Sequence, residues 1–177
     1  MDLRVMKTRN NIRTAFLELR STIMLEKIRV NHLCSLAMIN KTTFYKHYQD
    51  VFALSEEIEN DSILAIMDSF ANINALYADP DAFITGMYSA FKAHEELIFT
   101  LFSGRMNVLI NKVEKQLLTH YPAIGLEPQK EILLSFLIKG ASNVLMDAKF
   151  EETIMLNTLT GVAKHIIQLI MDNEGNK

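Results

Sequence analysis

Apolar residues in this chain recur in steps of three and four, and breakers are too sparse to divide them into strands. Ile12, Ala15, Phe16 and Leu19 keep that spacing near the start, and Val108, Leu109, Val113 and Leu117 keep it far downstream. Only three prolines and six glycines punctuate 177 residues. No alternating apolar run is bounded by Asn-Gly or Asp-Gly, so the pattern predicts helices that each bury a stripe. With 49% of residues hydrophobic, the chain has enough apolar surface for one or two small cores. An all-α protein of eight to ten helices is the expectation.

Cys34 is the single cysteine, which rules out an intrachain disulfide and fits a reducing compartment. Its neighbours Leu33 and Ala37 make it read as a small buried residue where two helices cross. The opening Met-Asp-Leu-Arg-Val-Met-Lys is too polar for a secretory signal. No unbroken apolar run reaches the roughly 18 residues that a membrane span needs. A soluble, cytoplasmic protein with no membrane partner is expected. Enzyme signatures are missing as well: there is no Gly-rich phosphate loop, no Gly-x-Ser-x-Gly elbow, no His-Glu-x-x-His, and no metal-ligand spacing around Cys34. His32, His94, His120 and His165 read as surface or internally satisfied histidines rather than ligands. No catalytic residue, metal or cofactor is expected, and a helical enzyme stands as the weaker alternative.

The net charge of −3 hides an asymmetry. Residues 1–50 hold nine Lys and Arg (4, 7, 9, 13, 20, 27, 29, 41, 46) against four acids, a net of +5, and the other 127 residues carry −8. A basic head on an acidic body suits a domain that neutralises phosphates joined to one that does not, so double-stranded DNA is the expected partner.

Asn40-Lys-Thr-Thr-Phe-Tyr-Lys-His-Tyr48 is the densest cluster of hydrogen-bond donors in the head. Lys41, Thr42, Thr43, Tyr45, Lys46 and His47 can all donate, while Phe44 and Tyr48, four apart, share a face that can anchor a helix to a core. Asn40 offers an N-cap. Upstream, Val30, Leu33, Cys34 and Ala37 make a shorter apolar face, and Met38-Ile39-Asn40 is the turn between the two. Ile12 to Leu19 forms a first helix, with Thr8 or Asn10 as a possible cap. A fourth helix should open near Val51 and run to about Tyr77 along Leu54, Ile58, Ile63, Ile66, Met67 and Phe70.

On these residues the segment from about Thr8 to Asn60 resembles the DNA-binding domain of TetR-type transcriptional regulators. Thr43, Phe44, Tyr45 and His47 match the distinctive positions of that family's third helix, and Ile28, Val30, Leu33, Cys34 and Ala37 follow its second. The resemblance implies an N-terminal three-helix helix-turn-helix DNA-binding domain over 1–50, followed over 51–177 by a helical ligand-binding and dimerisation domain. It implies that Thr42, Thr43, Tyr45, Lys46 and His47 read bases and grip phosphates, and that Phe44 packs inward. Arg29 and Asn31 fall at the start of the second helix, which approaches the DNA backbone. Two positions depart from the family: Met38 stands where glycine is usual, and Val51 where a lysine commonly meets phosphate.

In the body, Asp79-Pro80-Asp81 starts a helix well, with proline set for the first turn and acids at the positive end of the dipole. Phe83, Met87, Tyr88 and Phe91 follow on one face, and Gly104 breaks a later helix. Met67, Phe70, Met87, Tyr88, Phe91 and Phe102 are candidates to line a pocket for an apolar or aromatic effector; a filled core accounts for the same residues. From Glu127-Pro128 to about Lys149, and from Ile154 to Met171, the helices are apolar beyond one stripe. Such helices bury two sides, and a two-fold four-helix interface with a second copy supplies the second. The expectation is a homodimeric repressor that sets two reading helices about 34–36 Å apart, or a multiple of that, on a pseudo-palindromic operator. The alternative is a DNA-binding regulator whose body recruits a partner protein instead of a small molecule.

Overall fold

The computed structural model describes residues 3–69, 75–119, 128–147 and 149–172. Among them the chain is all-helical: α1 (Leu3–Arg20), α2 (Val30–Leu36), α3 (Lys41–Tyr45), α4 (Val51–Asp68), α5 (Ala75–Ala78), α6 (Pro80–Ala93), α7 (Glu95–Phe102), α8 (Met106–Thr119), α9 (Pro128–Leu145) and α10 (Glu152–Asp172). One 3₁₀ turn, Leu25–Lys27, precedes α2. Two compact units result. The first comprises Met1–Ser62 and Glu96–Gly104, the second Ile63–Glu95 and Arg105–Lys177. This cut differs from a division at residue 50, because residues 51–62 of α4 stay with the head and α7 returns to it.

In the head, α2 packs against α1 and α3. Ile12, Phe16, Leu33, Phe44, Leu54 and Phe102 are essentially excluded from solvent. Burying each such side chain is worth about 1.5–3 kcal/mol. α1 begins at Leu3, earlier than a cap at Thr8 or Asn10 would allow, and the Thr8 hydroxyl instead donates to Arg4 O at 3.0 Å within the helix. At the other end of α1, Arg20 is buried: Nη1 donates to Ile23 O at 3.0 Å and Nη2 to Leu101 O at 2.8 Å. The cation meets a carbonyl in the last turn of α7, where the helix dipole favours positive charge.

A polar joint ties α1 to α4. Arg9 Nη2 lies 2.7 Å from Glu57 Oε2. Arg13 Nη1 donates to Glu57 Oε1 at 3.0 Å and to Asp61 Oδ2 at 2.7 Å. The buried Tyr48 donates its hydroxyl to Glu57 Oε1 at 2.9 Å, with the Arg9 guanidinium 5.8 Å from its ring centre. Burial pushes the Glu57 carboxyl up, but the hydrogen bonds from Arg9 and Tyr48 and the charges of Arg9 and Arg13 outweigh it, and its pKa falls below the usual value. Three of the nine head cations, Arg9, Arg13 and Arg20, are thus committed to the fold.

In the body, α6 and α9 pack on α10, α8 packs on α9, and α5 packs on α6. Phe83, Ile84, Leu134, Ala163, Ile167 and Ile170 lie in their shared core. A helix starts at Asp79-Pro80-Asp81 as the sequence predicts, with Pro80 in the first turn and Asp79 as its cap, accepting from Ala82 N at 3.0 Å. α4 stops at Asp68 rather than near Tyr77: Ser69 donates both its backbone N–H (3.1 Å) and its hydroxyl (2.6 Å) to Ile66 O, a local bond that competes with further helix. α9 ends at Leu145 rather than near Lys149, where Asp147 turns back to accept from Lys149 N at 3.2 Å. Phe70, His120, Tyr121, Pro122 and Glu127 lie outside the described residues.

By length and composition Glu152–Met171, of mean hydropathy 1.3, is apolar enough to cross a membrane, although no single run in it is unbroken. It packs as a core helix does on one side, through Met155, Leu159, Ala163, Ile166 and Ile170. Its other side exposes Ile154 (67%), Val162 (42%) and Leu169 (45%), and α9 exposes Ile132 (67%) and Phe136 (68%). Gly140 and Gly161 sit in these two helices with nothing within 4 Å of where a Cβ would stand.

Because the folded-state pKa of Glu57 is depressed, its contribution is present above the unfolded carboxylate value, about 4.3, and is lost as pH falls through the lower folded one. Glu57→Gln should therefore destabilise the chain by about 1–2 kcal/mol at neutral pH. It should also make the melting temperature less sensitive to acidification below about pH 4.3. Thermal unfolding across pH, variant against parent, measures both.

Candidate nucleic-acid interface

The donor-rich segment folds as a short helix held on an apolar foot. Asn40 caps α3 as predicted, its Oδ1 accepting from Thr43 N at 2.8 Å. Phe44 is fully buried and Tyr48 nearly so, with ring centres 5.9 Å apart. Regular α-helix ends at Tyr45, and His47 N and Tyr48 N both close onto Phe44 O, at 2.9 and 3.0 Å, tightening the last turn. The segment therefore makes a little over one turn of helix plus a tight turn, shorter than two full turns.

Burial sorts the predicted contact residues. Lys41, Thr42, Tyr45 and Lys46 are exposed, as are Arg29 and Asn31 at the start of α2. Tyr45 is 55% exposed and packs edge-on against Phe44, ring centres 5.4 Å apart. Thr43 and His47 are half-buried. Val51 is 5% exposed and belongs to the core; Asp50 caps α4 just before it, accepting from Ala53 N at 2.8 Å.

Thr43, Lys46 and His47 converge on one groove of about 820 Å³, whose other wall is the first turns of α1. Arg4 and Thr8 supply the polar side chains of that wall. Arg29, Asn31, Lys41, Thr42 and Tyr45 do not line it. Sequence reading named neither Arg4 nor Thr8 as contacts, although their four-residue spacing places them on one helical face. Among the described residues no carboxylate lines the groove. Its floor includes Cys34, whose thiol is pushed up by burial and only partly lowered by Lys41, so it stays protonated.

The turn that positions α3 carries the most exposed large apolar side chain among the described residues. Met38 has φ +53° and is 91% exposed. Ile39 N donates to Cys34 O at 3.0 Å and Met38 N to Ser35 O at 3.3 Å, the paired closure of a Schellman motif with methionine in the left-handed position that favours glycine.

The effector candidates do not form one group. Phe102 is 1% exposed in the head unit, 81 residues being spanned by the Arg20–Leu101 bond that fixes its helix. Met87 belongs to the body core; Met67 and Tyr88 pack against that core and Phe91 is half-buried. Tyr88 donates its hydroxyl to Glu152 Oε2 at 2.8 Å. Among the described residues no cluster of His, Cys, Asp or Glu is arranged to hold a metal ion.

Met38→Gly should raise stability by about 1 kcal/mol, since it relieves a left-handed L-residue that costs about 1–2 kcal/mol and is partly offset by glycine's greater unfolded-state freedom. Urea denaturation measures it, and a stability equal to or below that of the parent would refute the strain.

Compared with known proteins, the chain matches no family model and no curated protein.

Proposed function

We propose that this chain is a TetR-type DNA-binding transcriptional regulator, a repressor that acts as a homodimer on a pseudo-palindromic operator. The proposal assigns α1 to α3 as a helix-turn-helix reading head and the body as the dimerisation and effector-binding domain; no catalytic role is assigned. One observation carries it: α3 and the turn after it bury Phe44 and Tyr48 while they leave Lys41, Thr42, Tyr45 and Lys46 exposed beside a groove that no described carboxylate lines. A helix anchored by aromatics and presenting donors outward is suited to major-groove base edges, and the flanking cations to phosphate. The six exposed head cations, Arg4, Lys7, Lys27, Arg29, Lys41 and Lys46, supply the sequence-independent part of the affinity.

Dimerisation is assigned to the outer faces of α9 and α10. Mid-helix glycine costs about 0.5–1 kcal/mol relative to alanine, and neither Gly140 nor Gly161 meets a neighbour that requires it. Close approach of a second copy gives both a reason. The exposed Ile132, Phe136, Ile154, Val162 and Leu169 then gain a cover. An apolar or aromatic effector that enters the body near Met67, Met87, Tyr88 and Phe91 and favours one arrangement of the pair would weaken DNA binding by linkage.

With a duplex enriched from a random pool by the parent protein, Tyr45→Ala should weaken binding about tenfold and Lys46→Ala comparably, with the helical signal and the dimer unchanged. Parent-like binding by both variants would sink the reading of α3. Phe136→Glu should convert the dimer to a monomer in sedimentation at micromolar concentration. A parent that is itself monomeric under those conditions would instead favour the partner-protein reading of the same face.

A further inference from the structure

We propose that the groove between α1 and the α2–α3 turn seats the sugar–phosphate backbone of one DNA strand, with Arg4 and Lys46 on its phosphates and Met38 against deoxyribose. The inference rests on the DNA-binding reading and adds to it a second wall that reading does not contain. Arg4 projects from the first turn of α1 and Lys46 from the end of α3, and both line the same groove of about 820 Å³. Thr8 and Thr43 add hydroxyl donors from the two sides. Cations with hydroxyls and no described carboxylate complement a chain of phosphodiesters rather than a basic or a neutral ligand.

Met38 explains what charge alone does not. A large apolar side chain held 91% exposed on a φ of +53° gains nothing within the head, yet it lines this groove beside Val5. Strain of that kind persists where the surroundings or a ligand make use of it. Deoxyribose presents an apolar face between successive phosphates, so a methionine flanked by two cations matches the alternation of a single strand's edge. Glycine at 38 would keep the turn and remove that contact. The residue is therefore a positioning element for the backbone and carries little base specificity of its own.

The test uses the full chain and the duplex enriched by the parent, with affinity followed by fluorescence anisotropy across a salt series. Arg4→Ala should weaken binding about tenfold and reduce the salt slope by about one ion. Arg4→Ala combined with Lys46→Ala should lose less than the product of the single effects if both hold one strand. Met38→Gly should bind about threefold to tenfold more weakly although its fold is the more stable, which separates a lost contact from a damaged head. Lys115→Ala, an exposed cation on α8, should leave affinity and slope unchanged. Parent-like binding by either Arg4→Ala or Met38→Gly overturns this seating of the strand while leaving α3's role standing. A parent that enriches no duplex overturns the DNA reading itself and this proposal with it.

Discussion

A single carboxylate, Glu57, ties the exit of α3 to α1 and α4. A five-residue helix has no stability of its own, since nucleation alone outweighs the few hydrogen bonds it makes. Its support is Phe44 below and Tyr48 at the exit, and the Tyr48 hydroxyl is fixed by Glu57. Glu57 is held in turn by Arg9 and Arg13 from α1. One side chain on α4 therefore determines the spacing of α1 and the end of α3 together. A half-buried carboxylate would be costly alone; two guanidinium groups and a phenol satisfy it, and removing any one of them leaves the others poorly paired.

The same arrangement alters the meaning of the charge asymmetry. The +5 of residues 1–50 treats nine cations as equivalent, but three of them neutralise or cap internal groups, and the rest of the same unit adds five acids, Glu56, Glu57, Glu59, Asp61 and Glu96, and no cation. What remains at the surface is a smaller set that includes the ends of α1 and α3. Met38 fits this division of labour. Its turn keeps the hydrogen-bond closure that glycine would give, so methionine there changes what the turn presents and leaves its backbone path in place.

Local features were legible in the residues because their causes are local. The Asn40 cap, the helix start at Asp79-Pro80-Asp81, the Phe44–Tyr48 foot and the burial of Cys34 all follow from residue types and spacings within a few positions, and the structure has each of them. The left-handed turn at Met38 could be suspected only from the family's glycine. Other features depend on partners far away in sequence. Arg9 and Arg13 look like ordinary polar positions of an amphipathic helix until Glu57, 44 residues beyond Arg13, arrives beside them. Arg4 and Thr8 gain significance only when α1 forms a wall opposite α3. Phe102 was grouped with body aromatics because it follows them in the chain, and periodicity carries no information about which core a stripe joins. The end of α4 was missed for a different reason: apolar spacing continues past Asp68, and the serine that closes the helix does so by a side-chain bond that an apolar count ignores.

Arg20 and α7 carry a consequence for how the chain is made. The head, although it comes first in sequence, is not finished first: its last pieces, Leu101 and Phe102, follow α5 and α6 of the other unit. During synthesis a chain emerging from the ribosome holds Arg20 on Ile23 O alone, without the Leu101 carbonyl, until α7 has left the exit. Domains that are continuous in sequence can fold one after another as they appear. Here the second unit is begun inside the first, so the nascent head remains incomplete through the synthesis of two helices that belong elsewhere.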